Sequence, residues 1–177
     1  LIVGGGIANT FLAAKGINIG NSIHEPCLIP LAKKLMSETN IPPPIDVATA
    51  KNFNPSEPRV IKSVKDIAPD EMILDIGPET IKERIETIAK MKTIIWNGPV
   101  GVFEFKNFSV GTEAIAKAIA QNTGFSIAGG GETISAIDTF VVTKDISYIS
   151  TGGGAFLEYL EGSKLPSIAM LEERCLN

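Results

Sequence analysis

The feature that most constrains the fold is a repeated order of short apolar segment, glycine-rich loop and helical pattern. Three of these loops are runs of three glycines, which begin at Gly4, Gly129 and Gly152. Short buried strands that alternate with helices predict a parallel sheet with helices on both faces, because each parallel return needs a crossover. We therefore predict an α/β fold, namely a three-layer αβα sandwich with a mainly parallel, Rossmann-like sheet.

The hydrophobic pattern places the individual elements along the chain. Predicted strands cover residues 1–3, 45–48, 72–74, 94–96, 125–128 and 148–150, and predicted helices cover residues 7–13, 25–36, 79–91, 111–121, 133–140 and 155–160. Pro30 is expected to kink the second helix or to delay its start. Apolar residues at helical spacing are expected to face the core, among them Leu28, Leu31, Ala32 and Leu35 in the second helix and Ile81, Ile85 and Ile88 in the third.

A second constraint is the stretch over residues 93–104, where an apolar strand runs directly into a loop rich in glycine and proline. Ile94, Ile95 and Trp96 show no polar alternation, which predicts a strand that is buried on both faces. The loop glycines leave the backbone open to a ligand, and Glu104 adds one carboxylate beside an apolar floor. An ordinary strand end with a tight turn explains this stretch equally well when it is considered alone.

All four glycine-rich loops follow predicted strands, so we expect them at one edge of the sheet, where parallel sheets bind ligands. Helix starts at that edge offer unpaired N–H groups and a positive dipole end, which favour phosphate. The dinucleotide fingerprint fails, because it would need glycine at Asn9 or at Ile134, and no Walker A sequence is present. Close packing of a helix on the sheet would explain one triple glycine, but three favour a nucleotide or phosphometabolite site.

Composition argues against several other classes of protein. The length of 177 residues suits one domain, and the net charge of −4 without a basic stripe argues against nucleic acid as a partner. Cys27 and Cys175 match no metal spacing and indicate reduced thiols. With no apolar run that spans a bilayer and no signal peptide, we expect a cytoplasmic monomer without a membrane partner. The chain begins inside an apolar segment without Met, so we expect a piece of a longer protein.

Five stretches occur together and in order: GGGIANTF from residue 4, LDIGP from residue 74, WNGPVGVFE from residue 96, GGGET from residue 129 and STGGGAFLE from residue 150. Together they closely resemble the carboxyl-terminal, nucleotide-binding half of phosphoglycerate kinase, over essentially the whole chain. The resemblance implies a glycolytic phosphotransferase with a carboxyl group as acceptor, which interconverts 1,3-bisphosphoglycerate and Mg-ADP with 3-phosphoglycerate and ATP. It also implies that residues 1–177 are the nucleotide-binding domain, that the N-terminal phosphoglycerate-binding domain is absent, and that this half is inactive alone.

The resemblance also implies roles for individual residues. The glycine-rich and apolar positions that would surround the adenine are Gly5, Gly6, Phe53, Leu74, Gly101 and Val102, and Gly4 would also contribute to nucleotide binding. The positions that would contact the ribose and phosphates are Asn97, Pro99, Glu104, Gly131, Glu132 and Thr133, with Glu104 accepting hydrogen bonds from the ribose hydroxyls. Catalytic roles at the transferring phosphoryl group fall to Gly130, Gly153 and Gly154.

Glu132 occupies the position that binds Mg²⁺ in the family, where Asp is the common residue. Since Glu reaches one methylene further and Mg²⁺ demands near-ideal octahedral geometry, we expect Glu132 to act through a metal-bound water. Direct ligation, with the loop after Gly131 drawn back, is the second interpretation. The third is a first-turn acid that only complements the helix dipole.

Other functions remain open from the sequence alone. The chain could be a domain of an NAD-dependent oxidoreductase, which the failed fingerprint disfavours, or a non-catalytic module that binds nucleotide or serves as a scaffold. Plain structural readings also exist for single residues: Glu104 as a solvated acid, Phe53 and Leu74 as core, and Asp75 or Glu158 as helix-end charges.

Overall fold

The computed structural model describes residues 1–175, which contain seven α-helices and six strands. The helices are α1 (Gly5–Ala14), α2 (Ile29–Glu38), α3 (Pro78–Ile88), α4 (Val110–Gln121), α5 (Gly131–Thr139), α6 (Gly154–Leu160) and α7 (Pro166–Cys175). The strands are β1 (Asp46–Ala50), β2 (Val60–Ser63), β3 (Met72–Ile76), β4 (Thr93–Trp96), β5 (Phe125–Gly129) and β6 (Tyr148–Ser150).

Strands β4, β5 and β6 form a parallel sheet in that order. Trp96 pairs with Ala128, and Gly129 pairs with Ser150, so the three strands end at the same edge. Helices α4 and α5 connect and cover these strands, and their apolar residues form the main core with Trp96 and Ala128. The predicted α/β fold, with a parallel sheet flanked by helices, is confirmed.

The second sheet has the order β2-β1-β3, and both of its pairings are antiparallel. Neither β2 nor these antiparallel pairings were predicted from the sequence. No helix separates β1 from β2 or β2 from β3. The chain therefore reverses directly, and a direct reversal gives antiparallel neighbours, whereas a parallel neighbour needs a crossover.

Residues 1–3 form no strand, so that prediction is wrong. Ile2 and Val3 pack against two different apolar clusters, while the backbone of this segment pairs with no strand among residues 1–175. Strand β4 consequently lies at the edge of its sheet. The side chain of Ile95 is 52% exposed, and only Trp96 of this strand is buried, so burial on both faces is also wrong.

A 3₁₀ turn at Pro26–Leu28 precedes α2, so Pro30 lies in the first turn and the helix start is delayed, as predicted. The helices differ from the predicted pattern in three other respects. Leu28 and Leu31 are about half exposed rather than inward, because α2 packs against α1 chiefly through Ala32. On α3 the buried side of the helix includes Arg84, which leaves Ile85 exposed. Helix α7 was not predicted.

No helix within residues 1–175 is both long enough and apolar enough to cross a membrane.

Candidate functional site

Three of the four glycine-rich loops lie at one edge of the parallel sheet. β4, β5 and β6 all run in one direction, and their carboxyl ends lie side by side through the Trp96–Ala128 and Gly129–Ser150 pairings. The Trp96 loop (residues 97–104) follows β4, and the loops that follow β5 and β6 lead to the N-termini of α5 and α6. The sequence order therefore placed these loops correctly.

Side chains lock the Trp96 loop to the start of α5. The amide of Asn97 donates to the carbonyl of Gly129 at 2.7 Å, and the N–H of Gly98 donates to Oγ1 of Thr133 at 2.7 Å. Gly130 adopts φ +96°, a conformation that disfavours any residue with a Cβ. Thr133 is buried, so its hydroxyl serves the loop in this structure.

The first glycine run joins the same group through the backbone. Gly4 is the N-cap of α1, and the N–H of Gly5 donates to the carbonyl of Val100 at 3.3 Å. Gly5 and Gly6 thus begin α1 beside the Trp96 loop, although residues 1–3 form no strand.

An apolar wall adjoins this loop. Leu74 is buried in β3, and its carbonyl accepts a hydrogen bond from the N–H of Val102 at 2.8 Å. The ring of Phe53 lies 4.8 Å from that of Phe105, which packs with Val102 against the cluster around Leu74. Phe53 is 63% exposed and is therefore not a core residue, whereas Leu74 is.

Two exposed carboxylates lie on this group of loops. Glu104 ends the Trp96 loop and Glu132 occupies the first turn of α5; among residues 1–175 neither makes a hydrogen bond or an ion pair through its side chain. The described part of the chain has no cluster of three or more His, Cys, Asp or Glu that would enclose a metal. A single open carboxylate fits Mg²⁺ that is held mainly by phosphates and water, which is how this ion is usually bound.

The third glycine run lies next to the second. Gly153 adopts φ +53° and precedes α6, and the N–H of Gly152 donates to Oγ of Ser150 at 3.3 Å. Phe156 of α6 packs so closely over Gly129 that a Cβ at Gly129 would collide with its ring. Gly153 and Gly154 therefore begin a helix beside the one that Gly130 and Gly131 begin.

Five of the helix N-termini within residues 1–175 fall into two groups. Those of α3 and α4 are occupied by buried carboxylates from other elements: Asp46 accepts from the N–H groups of Glu79 and Thr80, and Asp75 accepts from that of Gly111. The helices that begin at glycine runs, α1, α5 and α6, have no side-chain cap. At their starts the N–H groups of Gly5, Ala155 and Phe156 donate to backbone carbonyls, whereas those of Gly6 and of residues 131–133 make no hydrogen bond within residues 1–175 and are available to an anion.

Two buried polar residues beneath the Trp96 loop escaped the sequence analysis as site residues. Asp75 is 1% exposed, and burial raises its pKa from the ordinary 3.8 to about 6 against the opposing effects of hydrogen bonds and of Arg59. Thr112, also 1% exposed, accepts hydrogen bonds at Oγ1 from the N–H groups of Val100 and Gly101 at 3.2 and 3.3 Å. A lone acid inside the apolar segment 72–76 was the available signal for Asp75; Thr112 gave none.

Comparison with known proteins gives a consistent result. The family described as Phosphoglycerate kinase matches residues 1–163. A solved structure of phosphoglycerate kinase from Coxiella burnetii is similar with a TM-score of 0.93 and 44% sequence identity, covering 97% of this chain and 46% of that one. For phosphoglycerate kinase from Pyrococcus horikoshii OT3 the TM-score is 0.82 and the identity 32%, covering 97% and 44%. The chain thus spans less than half the length of either relative.

Proposed function

Because the chain belongs to the phosphoglycerate kinase family, we propose that it is the carboxyl-terminal, nucleotide-binding domain of such an enzyme and that it binds Mg-ADP and Mg-ATP. In the complete protein this domain would present the nucleotide to 1,3-bisphosphoglycerate or 3-phosphoglycerate held by a second domain. We further propose a cytoplasmic monomer with no nucleic acid or membrane partner, in keeping with the net charge of −4.

The observation that carries this proposal is the contrast between occupied and open helix N-termini. Carboxylates of Asp46 and Asp75 fill the N-termini of α3 and α4, whereas α1, α5 and α6 begin at glycine runs without side-chain caps. Two of the open termini follow the neighbouring strands β5 and β6, and the third contacts the Trp96 loop, which follows the adjacent strand β4. Helix N-termini with free N–H groups bind phosphate, so this edge suits a chain of phosphates.

The nucleotide would lie along the Trp96 loop. Its adenine would pack against an apolar slot made by Gly5, Gly6, Phe53, Leu74, Gly101 and Val102, next to Gly4. Glu104 would accept hydrogen bonds from the ribose hydroxyls, while Asn97 and Pro99 would lie along the sugar and phosphates. The exposed ring of Phe53 and the exposed carboxylate of Glu104 are consistent with these roles, because both remain available to a ligand.

The phosphates would reach the start of α5. Gly131 and Thr133 would contribute backbone N–H groups there, and Glu132 would hold Mg²⁺, which supplies positive charge to the phosphates when bound. The hydroxyl of Thr133 already accepts the Gly98 N–H, so Thr133 would position the loop as well as contact the ligand.

In phosphoryl transfer the protein mainly positions the two oxygens in line and stabilises charge on the equatorial oxygens. The bond between phosphorus and the acyl oxygen of 1,3-bisphosphoglycerate breaks, and the β-phosphate oxygen of ADP forms the new bond. Backbone N–H groups at Gly130, Gly153 and Gly154 would stabilise the transferring group, since preorganised donors are most effective where charge develops.

Calorimetric titration of the purified 177-residue chain with Mg-ADP, Mg-ATP and NAD tests the proposal. We expect one site for Mg-ADP and Mg-ATP and no heat of binding for NAD. Binding of NAD would favour an oxidoreductase domain instead. Absence of binding by all three would favour a scaffold.

Replacing Glu104 by alanine should weaken Mg-ADP binding by roughly 1–3 kcal/mol, the range for a hydrogen bond to a charged group. Glu86→Ala on α3 removes the same charge from an exposed helix position and is the matched control. Isothermal titration of both variants gives the comparison, and equal affinity of Glu104→Ala and the parent would remove Glu104 from the site.

The chain alone should show no phosphoglycerate-dependent turnover of ATP. The proposed substrate domain lies outside it, so residues 1–175 have nothing to close against and exclude water from the transferring group. A coupled assay at high protein concentration, with a full-length relative as the positive control, checks this expectation. Robust turnover by a homogeneous sample would show that the chain carries a phosphoglycerate site of its own.

A further inference from the structure

Asp75 lies at the meeting point of three elements under the Trp96 loop. In β3 its carboxylate accepts hydrogen bonds from the backbone N–H of Gly111 at 2.8 Å and from its neighbour Ile76 at 2.9 Å. The guanidinium of Arg59 lies 3.5 Å away and also donates to the carbonyl of Ile76 at 3.0 Å. One buried carboxylate therefore joins the start of β2, the end of β3 and the first turn of α4.

The Trp96 loop closes directly over this carboxylate. A Cβ added at Gly101 or at Gly111 would collide with Oδ1 of Asp75. Both glycines are needed for this close approach, and Gly101 is one of the residues proposed to surround the adenine. The carboxylate consequently fixes how near the loop and α4 approach β3.

A second contact, made by Thr112, connects α4 to the Trp96 loop. Thr112 follows Gly111, and its hydroxyl accepts hydrogen bonds from the N–H groups of Val100 and Gly101. The next residue of the loop, Val102, donates its N–H to the carbonyl of Leu74, the residue before Asp75. The backbone of residues 100–102 therefore donates hydrogen bonds both to β3 and to the first turn of α4.

Folding stability does not explain a carboxylate at this place. Burial raises the pKa of Asp75 to about 6, so the ionised form present at neutral pH is held at a cost to the folded state. The ion pair compensates only in part, because the pKa of Asp75 stays raised by burial although the charge and the hydrogen bond of Arg59 lower it. A group that costs stability and orders a ligand-binding loop is typical of a functional site.

We propose that Asp75 is a positioning residue for the nucleotide: through Gly111 and Thr112 it holds the backbone of residues 100–102 in the geometry that binds the adenine and ribose. Asp75 contacts no ligand itself in this arrangement. The inference rests on the proposed function, and it assigns the ordering of that site to a buried residue away from its surface.

Two buried carboxylates allow a matched test. Asp75→Asn keeps the shape but loses one acceptor and the charge that faces Arg59. Asp46→Asn loses one acceptor and a charge at the N-terminus of α3, under no proposed ligand residue. Asp75→Asn should weaken Mg-ADP binding about tenfold, the effect of one hydrogen bond to a charged group, while its stability at neutral pH equals or exceeds that of the parent. Asp46→Asn should lose stability and keep its affinity. A merely structural Asp75 would give the reverse pattern.

Amide hydrogen exchange without nucleotide separates this proposal from the proposed function. The N–H groups of Val100, Gly101 and Val102 should exchange about tenfold faster in Asp75→Asn, since local opening sets their protection. In Asp46→Asn only the amides at the start of α3 should change. If the parent fails to bind Mg-ADP, the proposed function fails, and these exchange rates still decide whether Asp75 orders the loop.

Thr112 supplies a second pair of variants, which decides the matter if Asp75→Asn does not fold. Thr112→Val removes the hydroxyl that accepts the Val100 and Gly101 N–H groups, and Thr112→Ser restores it. The valine variant should show the faster exchange at these amides and the weaker Mg-ADP binding, and the serine variant should behave as the parent. Parent-like exchange and affinity in Asp75→Asn, or in Thr112→Val where only that variant folds, overturn the proposal.

Discussion

Raising the pH from about 4 to about 7 is expected to lower the unfolding free energy of the parent chain by about 2 kcal/mol relative to that of Asp75→Asn. The pKa of Asp75 lies at about 6 in the folded protein and near the ordinary 3.8 in the unfolded chain. Between these values the folded state binds a proton that the unfolded state has released. The stabilisation is therefore fully present below the unfolded pKa and is lost as the pH rises through 6.

Urea denaturation of both proteins at intervals across this pH range measures the effect. Glu71 contributes with the opposite sign, because a hydrogen bond from Lys62 lowers its pKa, but it is present in both proteins and cancels in the difference. If the unfolding free energies of the parent and of Asp75→Asn changed in parallel with pH, the pKa of the buried carboxylate would not be raised. Asp75 would then not lower the stability of the folded state at neutral pH.

Replacing Glu132 by alanine should remove most of the magnesium dependence of nucleotide affinity, a change of about 10–100-fold for a group that orients a metal-bound water. Glu132 is exposed on the first turn of α5 and has no side-chain partner among residues 1–175, so no packing is lost with it. Glu132→Asp should keep or strengthen the dependence, because the shorter side chain suits Mg²⁺ at this backbone position.

The measurement is ADP affinity in the presence of magnesium and in the presence of a chelator, for the parent, Glu132→Ala and Glu132→Asp. Glu79→Ala removes a first-turn acid from α3 and controls for the helix dipole alone. If the alanine variant retains the parent's magnesium dependence, only the helix-dipole interpretation of Glu132 remains.

The sequence predicted the parallel sheet and its loops well because each βα unit is local. A short apolar strand, a glycine run and a helical pattern lie within about twenty residues, and the crossover rule then fixes the direction of the next strand. The register that brings Gly129 beside Ser150 follows from this order. The local pattern also correctly predicted that Pro30 delays the start of α2.

The structural features that were not predicted from the sequence depend on contacts between elements, which no local pattern reveals. Ile95 lies in an apolar run but is half exposed, because it projects from the face of β4 opposite to Ile94 and Trp96, which pack in the main core. Residues 1–3 are as apolar as a strand, yet they pair with no strand within residues 1–175. Strand β2 is four residues long, and its register comes from β1 rather than from its own pattern.

The candidate site likewise contains some residues that the sequence indicates and others that it does not. Glycine runs and the exposed Glu104 are visible as motifs because a ligand would touch them directly. Asp75 and Thr112 make hydrogen bonds to residues that are 36 and 12 positions away in the chain. Such contacts exist only after folding, so a single sequence gives no pattern for them.

An NMR titration of the isotope-labelled chain with Mg-ADP, following the backbone amide resonances, tests whether the glycine-rich loops bind the nucleotide. We expect saturable shifts that are concentrated at Gly5 and Gly6, at Gly101 through Glu104 and at Gly131 through Thr133, with little change in the second sheet outside β3. Shifts that concentrate on another face of the molecule, or that are absent at saturating nucleotide, would contradict the proposed site.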